Sequence, residues 1–108
     1  MKHRPVRRVQ VSGDSMRPAL EGGDRLLVVR ARRLRVGDVV AVADPRQPAR
    51  TVVKRVAGVG PEGVTVLGDD PAASTDSRTY GPVPRRLVQG RAVYRYWPEA
   101  RRGRILRQ

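Results

Sequence analysis

The chain has 108 residues, a formal net charge of +13, a single histidine and no cysteine. Its length suits one domain with one small core, so we expect a single domain over residues 1–108 with basic, unpatterned tails at 1–6 and 101–108. The lack of cysteine excludes disulfides and thiol catalysis, and one histidine leaves no ligand set for a transition metal, so we expect neither a metal nor a cofactor.

Six valine-rich runs, separated by glycine, proline and aspartate, predict β-strands along the chain. In chain order they cover residues 7–11, 25–30, 38–43, 51–59, 63–67 and 87–97. A helical pattern is limited to one short turn near residues 15–20. Because the runs are short and turns are frequent, we expect a mainly β fold, a compact and twisted antiparallel sheet that is partly closed into a barrel.

The segment SGDSMRPALEGGD, between the first two predicted strands, places Ser15 after a Gly-Asp turn and before Met16. A serine hydroxyl becomes a strong nucleophile when a base takes its proton, and the backbone N–H groups of a tight turn can hold an oxyanion. Gly13 permits the close approach that such a turn requires. Taken alone, these polar residues fit an ordinary turn equally well.

Lys54 is one of only two lysines among 23 basic residues and lies within the predicted strand TVVKRVAGV. Unlike arginine, lysine can lose its proton in a protein once burial lowers its pKa, and the neutral amine is then a base. Alternation places Val52 and Val56 on the face of Lys54 and Arg55 on the other, wetter face. An edge-strand lysine that extends to solvent is the ordinary alternative.

A third segment, GDDPAASTDSRTYGPV, is too polar for a strand and supplies hydroxyls and an ion pair. The order SGDSMRPALEGGD, KRVAG and GDDPAASTDSRTYGPV resembles the signal peptidase I family of Ser-Lys serine proteases over residues 10–84. This resemblance implies serine endopeptidase activity in a single peptidase domain. It also implies the fold that this family shares with self-cleaving repressor-type peptidases.

Matched by position, the resemblance assigns Ser15 as the nucleophile and Lys54 as the general base. Ser74 matches the serine that orients the lysine amine, and Asp76 and Arg78 match a supporting ion pair.

The chain departs from the family pattern at the predicted oxyanion hole. Gly13 occupies a position where some members have a serine whose hydroxyl joins the hole. The hole would therefore rest mainly on the backbone amide of Ser15, next to Gly13. We expect small substrate pockets near Met16 that select small residues before the cleaved bond.

Typical signal peptidases carry a membrane anchor. No stretch here approaches the roughly 20 apolar residues of a spanning helix, and MKHRPVRRVQV has no apolar signal region. We therefore expect no integral membrane segment and a cytoplasmic location. Such a short member is similar to the soluble maturation proteases of nickel-type superoxide dismutase, which implies a precursor with an N-terminal leader as the partner and nickel superoxide dismutase as the candidate.

Two alternatives stay open. The charge also fits a basic module that binds nucleic acid or an anionic surface on a decayed peptidase fold. Scattered arginines and only four large aromatic residues argue against nucleic acid as a dedicated partner. A self-cleaving repressor-type peptidase would also have a Ser-Met pair and a later lysine, but the sole Ala-Gly pair, Ala57-Gly58, follows the lysine instead of preceding the serine.

Overall fold

A computed structural model describes residues 6–108, and within them all strands join one antiparallel sheet. Their order across the sheet is β1-β2-β6-β3-β4-β5, with β7 paired to β6. The strands are β1 (Val6–Gln10), β2 (Arg25–Val29), β3 (Val39–Asp44), β4 (Gln47–Gly60), β5 (Gly63–Leu67), β6 (Val88–Trp97) and β7 (Gly103–Arg104). The predicted mainly β, antiparallel fold is confirmed, with an open sheet rather than a closed barrel.

The centre of the sheet is buried on both faces, because all six residues of β3 are buried. Val39 and Ala41 belong to one apolar cluster and Val40 and Val42 to another. Alternating side chains of a strand point to opposite faces, so β3 contributes to both clusters. Burial of each such valine stabilises the fold by about 1.5–3 kcal/mol relative to exposure.

Two long connections carry most of the polar motifs. Residues 11–24 join β1 to β2, and residues 68–87 join β5 to β6. The second connection contains the one-turn helix α1 (Ser77–Tyr80) and 3₁₀ turns at Pro71–Ala73 and Arg85–Leu87. The helical turn predicted near residues 15–20 forms as a turn in which Leu20 N–H donates to the Met16 carbonyl at 2.9 Å.

Residues 101–108, where the sequence predicts a basic tail, contact the rest of the fold. Within this stretch β7 pairs with β6, and Ile105 packs against the first apolar cluster. Arg107 Nε donates to the buried Asp38 carboxylate at 2.8 Å. Arg101 and Arg107 of this segment are therefore partners of the buried acids Asp24 and Asp38. Composition alone cannot distinguish such residues from those of a solvated tail. Most of the predicted N-terminal tail lies outside the described residues, and the single domain over 1–108 stays a prediction.

The C-terminal segment also holds the connection between β1 and β2. Asp24 in that connection is fully buried. Its carboxylate accepts hydrogen bonds from Arg101 and, at 3.2 Å, from Arg95 Nη1. Arg95 Nη1 also donates to the Ala19 carbonyl at 3.1 Å. We call this set of contacts the Asp24 clamp.

Candidate active site

Ser15 lies in the connection between β1 and β2, and its position is fixed from inside by Met16. Met16 is 1% exposed and packs in the first apolar cluster with Val11 and Leu20. The Met16 side chain thus fills the core, whereas the neighbouring Ser15 is partly buried and lines a cleft. Met16 does not line this cleft, and the substrate groove near Met16 stays a prediction.

Lys54 extends from β4 towards this turn. Its Nζ lies 2.9 Å from Ser15 Oγ and 3.2 Å from Ser74 Oγ. The residue is only 4% exposed, and this burial lowers the pKa of the Lys54 amine. The carboxylate of Asp76 opposes this shift, while the charge of Arg50 adds to it. The net lowering of the pKa increases the fraction of Lys54 that is a neutral amine at a given pH.

Ser74 connects the lysine to a buried carboxylate. Its hydroxyl donates to Asp76 Oδ2 at 2.5 Å, so its oxygen lone pairs face the amine of Lys54. With one amine proton directed at Ser74, the lone pair of a neutral Lys54 can be directed at the hydroxyl of Ser15. The geometry thus brings together the nucleophile, the base and the orienting serine that the sequence predicted.

Asp76 is fully buried and accepts several hydrogen bonds. Arg78 donates to it from Nε at 3.0 Å and from Nη2 at 2.7 Å, and Gly68 N–H donates at 2.7 Å. Burial alone would raise the pKa of Asp76, but these hydrogen bonds and the one from Ser74 hold it well below the usual range. Asp76 is therefore ionised, and it fixes the direction of the Ser74 hydroxyl by accepting its hydrogen bond.

Gly68 is a residue of this site whose role the sequence reading missed. A Cβ on Gly68 would fall on the Ser74 hydroxyl and 2.7 Å from the Ser15 carbonyl oxygen. Two residues later, the Asp70 N–H donates a hydrogen bond to the same Ser15 carbonyl, at 2.8 Å. The Gly-Asp pair was a visible signal in the sequence, but the close approach it permits becomes evident only in the fold.

Arg55 is not on a wet face, contrary to prediction. Its side chain is 12% exposed and pairs with Asp69 through two hydrogen bonds of 2.8 Å. It also donates to the Gly37 carbonyl. Arg55 does lie on the opposite face of β4 from Lys54, as the alternation predicted, but residues 68–70 cover that face. The ion pair between Arg55 and Asp69 therefore fixes residues 68–70 beside Lys54.

A cleft of about 130 Å³ opens in front of the serine and lysine. Gly13, with a φ of 77°, lies in its wall next to Ser15, in the left-handed region that favours glycine. Asp44 and Arg46 form an ion pair in another part of the wall, at 3.5 Å. The full lining consists of Ser12, Gly13, Asp14, Ser15, Asp44, Arg46, Arg50, Val52, Val53, Lys54, Ala73 and Thr75. Nothing in the sequence marked Asp44, Arg46 or Arg50 as cleft residues.

Comparison with known proteins supports the family indicated by these motifs. The family model described as "Signal peptidase, peptidase S26" matches residues 3–66 and 61–97. Mitochondrial ATP-independent inner membrane protease subunit 1a of Arabidopsis thaliana is 40% identical over 115 residues, covering 82% of this chain and 68% of the relative. Mitochondrial inner membrane protease subunit 1 of Homo sapiens is 31% identical, covering 83% and 69%. Subunit 2 of Danio rerio is 32% identical, covering 89% and 67%.

These relatives contradict the predicted cytoplasmic location, because they are named as subunits of proteases of the mitochondrial inner membrane. In residues 6–108 no helix combines the length and the apolar character needed to span a bilayer. The specific likeness to nickel superoxide dismutase maturation proteases finds no support among the relatives named above. What the family match over most of the chain does establish is that this protein belongs to the signal peptidase family, peptidase S26, and is a signal peptidase-like protease.

Proposed function

We propose that the chain is a serine endopeptidase in which Ser15 is the nucleophile and Lys54 the general base, and that it removes an N-terminal leader from a precursor protein. The observation that carries this proposal is the 2.9 Å approach of the Lys54 amine to the Ser15 hydroxyl at the wall of an open cleft. The family match supports proteolysis as the reaction.

The reaction begins with the neutral amine of Lys54. It takes the proton from Ser15 Oγ, which attacks the carbonyl carbon of the cleaved peptide bond and forms a tetrahedral intermediate. The ammonium of Lys54 then gives its proton to the leaving nitrogen, and an ester on Ser15 remains. Lys54, neutral again, takes a proton from water, whose oxygen attacks the ester carbonyl carbon. The bond from this carbon to Ser15 Oγ then breaks, the ammonium of Lys54 returns the proton to Ser15 Oγ, and the leader leaves with a new carboxyl terminus. The backbone amide of Ser15, beside Gly13, holds the oxyanion in both steps.

Ser74 and Asp76 act through the lysine. The hydroxyl of Ser74 accepts from the amine and donates to Asp76, so the amine has one fixed direction in which its lone pair can point. Arg78 balances the charge of Asp76, and its side chain closes over the carboxylate. These three residues are positioning residues, since none of them touches the bond that is cut.

The precursor is the less constrained part of the proposal. The relatives are named as inner membrane protease subunits, which supports a precursor that is processed at a membrane and a second subunit as partner. The earlier resemblance implies nickel superoxide dismutase, so its leader-bearing precursor is the first specific substrate to test.

The experiment is co-expression with the leader-bearing precursor of nickel superoxide dismutase and, separately, with a precursor of an inner membrane protein. Intact mass is measured for the wild type, Ser15→Ala and Lys54→Arg. Leader loss with the wild type alone supports the proposed dyad and identifies the precursor. Equal leader loss with Ser15→Ala would refute the nucleophile, and an intact nickel superoxide dismutase precursor would remove that substrate.

A further inference from the structure

A second cavity, of about 320 Å³, lies away from the cleft and is lined by four arginines. It shares no residue with the cleft that contains Ser15 and Lys54. No aspartate or glutamate contributes to its lining. We call it the arginine cavity, and its lining consists of Arg30, Ala31, Arg32, Arg85, Arg86, Val88, Gln89 and Gly90.

The fold holds two chain segments together to form this cavity. Residues 30–35, the run RARRLR, leave the end of β2, and Leu34 packs against the second apolar cluster. From the other segment, Arg85 Nη2 donates to the Ala31 carbonyl at 2.6 Å and to the Arg32 carbonyl at 2.9 Å. The loop is therefore fixed by the packing of Leu34 and by the hydrogen bonds from Arg85, and these bonds hold the Arg85 side chain against the loop.

Gly90 provides the close approach beneath the cavity. A Cβ at this position would lie 2.5 Å from the Val29 carbonyl oxygen and 2.8 Å from Val28 Cγ1. Because no side chain projects from Gly90, β6 can run close against the end of β2. The base of the cavity is thus shaped by strand packing, while its four arginines are exposed to solvent.

The charge of the arginine cavity is uncompensated. The ion pairs formed in residues 6–108 use other arginines, at positions 17, 46, 55, 78, 95, 101 and 107. Four guanidinium groups around one cavity repel each other, and an anion between them would remove that repulsion. Guanidinium groups match phosphate oxygens in geometry and can donate two parallel hydrogen bonds to them.

We propose that the arginine cavity is a binding site for a phosphate-bearing anion, taken either from a phospholipid headgroup or from a free diphosphate. The volume corresponds to about ten water molecules at about 30 Å³ each, which accommodates a diphosphate group. A phosphate group places more negative charge in this space than one carboxylate does. A nucleic-acid strand is a poorer fit, because the lining has no aromatic side chain on which a base could stack.

The test compares the wild type with Arg32→Gln/Arg86→Gln and with the control Arg102→Gln/Arg104→Gln. Both double variants lose two positive charges, and the control residues are exposed and lie outside the cavity. Inorganic pyrophosphate is titrated against isotope-labelled protein, and the backbone amide signals of Gln89 and Gly90 are followed. We expect saturable shifts at these amides, with a dissociation constant raised at least about tenfold in the cavity variant and less than about twofold in the control.

A second experiment, with lipid vesicles, distinguishes a phospholipid headgroup from a free phosphate. Sedimentation is measured with vesicles of pure phosphatidylcholine and with equimolar phosphatidylcholine and phosphatidylglycerol. Loss of binding to the anionic vesicles in the cavity variant alone assigns the site to a lipid headgroup, and loss of pyrophosphate binding alone assigns it to a free phosphate. Equal weakening in the control, or no binding to either probe, overturns the proposal. Both readouts are independent of proteolysis, so failure of the proposed peptidase activity would not affect them.

Discussion

Lys54 Nζ and Ser15 Oγ lie 2.9 Å apart, although 39 positions separate the two residues in the sequence. The approach depends on two independent contacts, because Met16 fixes the serine turn from the core and Ser74 holds the amine from its other side. This distance between a hydroxyl and a desolvated amine is the observation on which the proposed nucleophile–base pair rests.

Replacement of Lys54 by arginine keeps the positive charge and removes the base. Arginine stays protonated at any pH at which a protein is folded, so we expect leader removal to fall by about 10²- to 10⁴-fold. The rate of leader removal is measured by mass spectrometry, and circular dichroism checks the fold. More than a tenth of the wild-type rate in Lys54→Arg would exclude the amine as the base.

Replacement of Arg50 by glutamine tests the electrostatics of the cleft. Burial lowers the pKa of Lys54 most strongly, Asp76 raises it, and Arg50 lowers it further. Activity requires the neutral amine and is lost as the pH falls through the pKa of Lys54. Without the cation at position 50 this pKa rises, so the acidic limb of the pH–rate profile moves to higher pH. Arg33→Gln, an exposed position outside the cleft, is the matched control and leaves the limb where it is in the wild type.

Replacement of Asp76 by asparagine tests the buried carboxylate. Its folded-state pKa is lowered, so the stability it contributes is complete above its unfolded pKa of about 3.9 and is lost as the pH falls further. At neutral pH we expect the variant to lose about 2 kcal/mol of unfolding free energy, the scale of hydrogen bonds to a charged group. Urea denaturation measures this, and the difference from wild type narrows below about pH 4. Glu62→Gln, an exposed carboxylate, serves as control, and an unchanged difference at low pH would contradict the assignment.

The strands were readable from the sequence because valine-rich runs and turn residues alternate regularly. The predicted run 63–67 coincides with β5, and 25–30 exceeds β2 by one residue. The two-residue strand β7 was missed, because Gly103 and Arg104 carry no apolar pattern and pair only where β6 is available. Tertiary contacts, which no local pattern records, account for it.

Those residues of the candidate site that belong to the three motifs could be predicted from the sequence. The sequence indicated Ser15, Lys54 and Ser74, and the fold places their polar atoms within hydrogen-bonding distance. The burial of the Met16 side chain was not predicted, because the pattern around Ser15 does not show the direction of its neighbour's side chain. The contribution of Arg50 was missed because the predicted strand began at residue 51, whereas β4 also includes Arg50, four positions before Lys54.

Replacement of Gly68 by alanine tests the close approach at the site. The added Cβ would lie 2.6 Å from Ser74 Cβ and 2.7 Å from the Ser15 carbonyl oxygen, so both serines must shift. A misplacement of this size at a catalytic group costs about 10²-fold in rate. The same change at Gly60, where a Cβ meets nothing within 4 Å, is the control and should leave the rate within about twofold. Equal rates in the two variants would show that the spacing at Gly68 is unimportant.

The Asp24 clamp has a consequence for the order in which the protein is made. The connection that contains the proposed nucleophile is held by Arg95 and Arg101, which follow it by more than 70 residues. During synthesis, Ser15 and Asp24 leave the ribosome long before these two arginines do, so the folded-state partners of the Asp24 carboxylate are not yet present. The connection that contains Ser15 therefore cannot take its final form before residues 95–101 have been synthesised.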